Sequence, residues 1–132
     1  MERQLISSGA AFEDRVGYSR AVRVGERVWV SGTAPIMPGD ADPPTGAYEQ
    51  AKICLGIIER ALAEAGASLD DVVRTRIYVV DIDDWQAVGR AHGESFGGIR
   101  PACSMVEVSR LIAPEILVEI EADAVVSRRD GR

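Results

Sequence analysis

The feature that most constrains this chain is an alternation near its end. Val118, Ile120, Ala122 and Ala124 are separated by Glu119, Glu121 and Asp123. A period of two marks a strand with one apolar face and one face carrying three acids. A second strand is expected just before it. There Val106 and Val108 share a parity with Ala102 and Ser104, and Cys103, Met105 and Glu107 take the other. Setting the valines against the core puts the Cys103 thiol and Glu107 on the face of Glu119, Glu121 and Asp123. Such a face is either solvated or functional.

The remaining chain supplies a partner for the apolar side. A short strand is expected at Arg3–Ser7 and a loop at Ser8–Arg15. Tyr18–Ser31 reads as a hairpin that turns at Gly25-Glu26. Met37–Gly46, rich in proline, glycine and aspartate, reads as a loop. Cys54, Ile57, Ile58, Ala61, Leu62 and Ala65 follow helical spacing, which predicts a helix from Ala47 to Ala65, capped by Thr45 and ended by Gly66. Val72–Val80 is the clearest strand, with Thr75, Ile77 and Val79 on one face and Arg74, Arg76 and Tyr78 on the other. Asp83 or Asp84 caps a second helix, Trp85–Phe96, and Gly97-Gly98 ends it. The order β-β-β-α-β-α-β-β predicts an α+β fold, six strands with two helices packed on one face. The other face, with Arg74, Arg76, Glu107, Glu119, Glu121 and Asp123, then meets solvent or another subunit.

A chain of 132 residues fits one domain spanning residues 1–132. Two cysteines, Cys54 and Cys103, make no disulfide framework and suit a reducing compartment, so the expected location is cytoplasmic. No apolar run is long enough for a membrane span, and MERQLISSGA lacks the pattern of a signal peptide. The charge is 15 − 21 = −6, and the one basic pair, Arg128-Arg129, lies in the tail. Nucleic acid is therefore not an expected partner. Lys52 is the only lysine and His92 the only histidine. Any Schiff base on a lysine must use the first, and any histidine base the second. Asp81, Asp83 and Asp84 are read as helix-capping rather than metal-binding residues, and no metal is expected.

Several short stretches resemble one family: Tyr18 in GYSRAV, Val30-Ser31-Gly32, Arg100-Pro101-Ala102, Val106-Glu107-Val108, Arg110-Leu111 and Val118-Glu119-Ile120-Glu121-Ala122. Together they are similar to the reactive intermediate deaminase family (Rid, or YjgF-like), also labelled endoribonuclease L-PSP, from about Leu5 to Val126. The resemblance implies a chorismate-mutase-like fold and a six-stranded mixed sheet. It also implies a homotrimer closed around a central barrel, with ligand clefts between subunits and no cofactor. Archetypal members hydrolyse 2-imino acids to 2-keto acids and ammonia. Carried over by residue, Tyr18 matches a cleft tyrosine and Ser31 a cleft serine, while Glu119 matches the glutamate that places water. Cys103 occupies the position of the arginine that pairs with the substrate carboxylate. Losing one partner of a buried charged pair costs about 2–5 kcal/mol, roughly 30- to 4,000-fold in binding. The chain thus looks like a Rid subgroup lacking that arginine, and weak archetypal activity is expected.

The bland reading of each candidate stands beside the functional one. Cys103 is expected to line the cleft rather than react, because a nucleophile needs a nearby base or cation. Glu121 and Asp123 fit a structural network with Arg74 and Arg76, whereas Glu119 fits either that network or, as the resemblance implies, a general base. Three functions follow in order. The first is a cofactor-free hydrolase acting on an imine, an enamine or a related metabolite, with Glu119 positioning water. The second is a non-catalytic module that binds a small metabolite such as an imino or keto acid. The third and weakest is a ribonuclease, for which no acid–base pair is evident.

Overall fold

The computed structural model describes residues 1–127. The basic pair Arg128-Arg129 lies outside them. The alternating segment forms β6 (Val118–Val125), with β3 (Arg27–Thr33) on one side and β4 (Val72–Val79) on the other, both antiparallel to it. Val118, Ile120, Ala122 and Ala124 are all buried. Among the described residues the sheet has six strands in the order β1-β2-β3-β6-β4-β5. Its outer members are β1 (Arg3–Ile6), β2 (Ala21–Val24) and β5 (Ala102–Glu107). The β4–β5 pairing is parallel and the others antiparallel, so the sheet is mixed. β5 and β6, consecutive in sequence, are not neighbours, since β4 lies between them.

Two long helices cover one face. They are α2 (Ala47–Glu64) and α3 (Trp85–Phe96). Ala51, Cys54, Leu55, Ile58, Ala61 and Leu62 form the buried stripe of α2 and meet Val28, Val30, Ile77, Ile120 and Phe96 in the core. The expected cap at Thr45 is displaced, because Gly46 takes the N-cap position and no side chain bonds there. Gly66 closes the other end with φ +81°, a left-handed conformation that glycine adopts without a Cβ penalty. Gln50 is fully buried and bolts two loops to α2. Its amide donates to Pro44 O at 2.7 Å and Glu115 O at 2.9 Å, and its carbonyl accepts from Leu117 N at 2.8 Å. No helix among the described residues is long and apolar enough to cross a membrane.

Three further expectations need correction. The loop at Ser8–Arg15 contains a short helix, α1 (Ala11–Val16), ended by Gly17 at φ +91°. Its anchor is Glu13, whose carboxylate accepts from the Ser7 and Ser8 hydroxyls, a local side-chain contact that backbone propensity does not report. Asp84, one of the two expected caps, takes the N-cap position of α3, but no side chain bonds there. Instead Asp81 Oδ1 accepts from Asp83 N at 2.9 Å in the turn before it.

The third correction concerns β5. Its register pairs Thr75 with Cys103, Ile77 with Met105 and Val79 with Glu107. Paired residues point to the same side, so Cys103, Met105 and Glu107 lie on the helix-covered face. Met105 packs against the core there, and Val106 is exposed on the open face. The valine parity misled because β5 is an edge strand, where neither face is fully covered. Arg100 is not on a strand at all. It precedes β5 in a left-handed turn at φ +62°.

Candidate active site

Glu119 belongs to the open face of β6 but reaches back toward β3. There the pairing runs Val30↔Ala122 and then Thr33↔Ile120, so Ser31 and Gly32 oppose the single residue Glu121. This is a β-bulge, a device that re-aims nearby side chains. A Cβ built on Gly32 would collide with Glu119 Oε2. The glycine is therefore the seat on which the carboxylate rests. Burial raises the Glu119 carboxyl above the ordinary range, Arg20 pulls it back, and Glu121 pushes it up again.

Arg20 is the residue that sequence reasoning missed. It is only 6 % exposed. Its Nη1 donates to Gly32 O and to Thr33 Oγ1, both at 3.0 Å. Glu13 Oε2 lies 3.7 Å from its Nε. Burial pushes the Glu13 carboxyl up, but the Ser8 and Ser7 hydroxyls, the Ser8 N–H and Arg20 outweigh it and hold it low. The only hint in the sequence is a charged residue next to the buried end of a hairpin strand.

Of the four expected site residues, three are linked. Tyr18 is part-exposed, and its ring centre is 5.4 Å from the Arg20 guanidinium carbon. The Ser31 hydroxyl donates to Ser19 O at 2.7 Å, and its N–H to Arg20 O at 3.0 Å. Arg20 and Gly32 then join this group to Glu119. Cys103 is not part of it. Its thiol is exposed, on the opposite face and two strands away, where it lies 3.8 Å from Ser104 O.

The other acids of β6 form a separate network. Arg76 Nη1 lies 3.3 Å from Asp123 and 3.6 Å from Glu121. The Tyr78 hydroxyl donates to Glu121, and that bond above all raises the tyrosine. Arg74 does not share this network; its Nη2 donates to Ser104 Oγ at 3.2 Å. The single histidine is also committed. His92 Nε2 is 2.8 Å from Thr75 Oγ1, and burial lowers its basicity. Lys52 pairs with Glu94 at 3.3 Å on the surface. No group of three or more metal-ligating side chains occurs among the described residues.

Fold and site together define a class: a small chorismate-mutase-like α+β protein with a part-buried acid seated on a β-bulge. Residues 8–126 match the family described as endoribonuclease L-PSP. The chain belongs to this Rid, or YjgF-like, family. It is similar to a crystal structure of a YjgF/YER057c/UK114 family member from Mycobacterium tuberculosis, 54% identical with TM-score 0.88, covering 95% of this chain and 100% of that one. It is 38% identical to a RutC family protein of Pyrococcus abyssi over 94% of this chain and 98% of that protein. It is 28% identical, over 83% of this chain and 87% of the relative, to TdcF of Escherichia coli, provisionally named a reactive intermediate deaminase.

Proposed function

We propose that the chain is a cofactor-free hydrolase of a small imine or enamine, with Glu119 positioning and activating the attacking water. The observation that carries this reading is the state of Glu119. Its carboxylate is part-buried, seated on Gly32, and shifted by burial toward the range where a general base is effective. The nearby cation, Arg20, is already committed to Gly32, Thr33 and Glu13. A substrate carboxylate would have to compete with Glu13 and the bulge for this cation, which favours an uncharged imine over a 2-imino acid.

The reading includes a homotrimer with clefts between subunits, closed around its open sheet faces. Trp29 and Val106 leave apolar surface exposed on that face, which favours burial against another copy. Cys103 and Glu119 lie on opposite faces of one subunit, so they can line one cleft only if they come from different subunits. In that arrangement Tyr18, Ser31 and Glu119 belong to one wall and Cys103 to the other. Ribonuclease action has little support, because the net charge is −6 and the one histidine is bonded to Thr75.

The test is the decay of 2-iminobutyrate, 2-iminopropionate and an uncharged imine, each generated in situ. Acceleration of the uncharged imine that Glu119→Gln abolishes is the expected result. Cys103→Arg is expected to gain activity on the 2-imino acids. No acceleration of any imine, with saturable binding of a keto acid, would replace the enzyme by a binding module.

A further inference from the structure

Gly32 is held from two directions. Arg20 grips its carbonyl and the hydroxyl of Thr33 with one nitrogen, at 3.0 Å each. Glu119 occupies the space where a Cβ would be. The arginine and the Glu119 carboxylate thus share one seat without a direct bond.

Arg20 carries a charge that a buried site must compensate. Its compensation is loose. Glu13 Oε2 is 3.7 Å from Nε, beyond hydrogen-bond range, and that buried Nε has no hydrogen-bond partner. Glu13 cannot close the gap easily. It is 4 % exposed and is tied to Ser7 Oγ at 2.9 Å, to the Ser8 hydroxyl, and to Ser8 N at 3.2 Å. An ion pair held apart by its own anchors leaves part of the cation's field to act on a third group.

We propose that Arg20 and Glu13 are paired positioning residues: Arg20 fixes the Ser31–Thr33 bulge on which Glu119 sits, and Glu13 sets how much of Arg20's charge that carboxylate feels. The proposal rests on Glu119 being the working group of the cleft. Other charged or titratable groups also face this region. They are Glu121 on β6, Tyr78 on β4 and the buried Cys54 on α2. Arg60 and Glu64 of α2 line, with Arg20, Ser7 and Ser8, a cavity of about 120 Å³. Among these, Arg20 is the cation that draws Glu119 back toward its ionised form.

The two charges make opposite demands, which a general loss of structure does not imitate. The Glu119 carboxyl is followed by carbon-13 NMR titration in the full chain, assigned by its disappearance in Glu119→Gln. Arg20→Gln is expected to move its midpoint up, and Glu13→Gln to move it down. Arg20→Lys keeps the charge but not the planar fork, so it is expected to leave the midpoint near that of the parent. Shifts in the same direction, or no shift in either glutamine variant, would overturn the proposal. If Arg20→Gln does not fold, Glu13→Gln decides alone: a downward shift supports the pair, and an unchanged or raised midpoint refutes it. The titration needs no turnover. An inactive protein with opposed shifts therefore sinks the hydrolase reading and keeps the pair. Turnover that depends on Glu119, with unmoved titrations, does the reverse.

Discussion

Replacing Gly32 with alanine is the smallest change that tests the seat of Glu119. The Gly32 backbone lies outside the left-handed region, so alanine meets no strain of its own. The added Cβ collides only with the Glu119 side chain, and a carboxylate at the end of a flexible chain can swing away. A rotamer departure of about 30° costs about 0.5–1.5 kcal/mol. Restricting the unfolded chain returns about 0.4–1 kcal/mol. The two nearly offset, so a thermal melt is expected to move by no more than about 5 °C. The site responds differently. A misplacement of about 1 Å can cost on the order of 100-fold in rate. Catalysed imine decay is therefore expected to fall by that order, and the Glu119 carboxyl to titrate closer to an ordinary glutamate as water reaches it. Unchanged decay and titration would refute the seat. A loss of several kcal/mol would refute the swing, because it would mean that Glu119 cannot leave.

Three further outcomes can be checked on the bare protein. A thiol reagent should label the exposed Cys103 quickly and the fully buried Cys54, whose thiol is pushed far up by burial, only on unfolding; two fast phases would contradict that burial. Glu13 is held below the usual carboxylate range, so its contribution is complete above about pH 4.3 and is lost as pH falls through its lower folded value. The stability gap between the parent and Glu13→Gln should shrink on acidification in urea melts, and a gap that widens would reverse the sign argued here. Gln50→Leu strips three partners from the Pro44, Glu115 and Leu117 backbone, and a loss of roughly 2–4 kcal/mol is expected in denaturant unfolding. A loss below about 0.5 kcal/mol would mean that water replaces the amide in full.

Much of the architecture was legible because it follows from periodicity. The alternation of Val118–Ala124 named the buried face of β6, and Thr75, Ile77 and Val79 named that of β4. The apolar spacing of Cys54, Ile58, Ala61 and Leu62 found α2, and Gly66 marked its end. These segments are flanked by partners on the core side, so burial and pattern agree. The likeness to the Rid family supplied the candidates Tyr18, Ser31, Glu119 and Cys103, but not their grouping.

What the sequence determined by itself was each strand's own two faces and the helices that cover one of them, since side-chain parity is fixed by the backbone. Only the tertiary structure decided which face of β5 meets the helices, because the register of an edge strand paired in parallel across a helical crossover is set by Met105 finding the core, not by its own weak pattern. That single register moved Cys103 to the side away from Glu119. It was also the fold that set Glu13 against Arg20 and Arg20 against Gly32. Glu13 and Arg20 are near in sequence, but their contact depends on the turn at Gly17, and that of Arg20 with Gly32 and Thr33 on the hairpin register. A charged residue in a short segment carries no periodic pattern that would reveal such a contact.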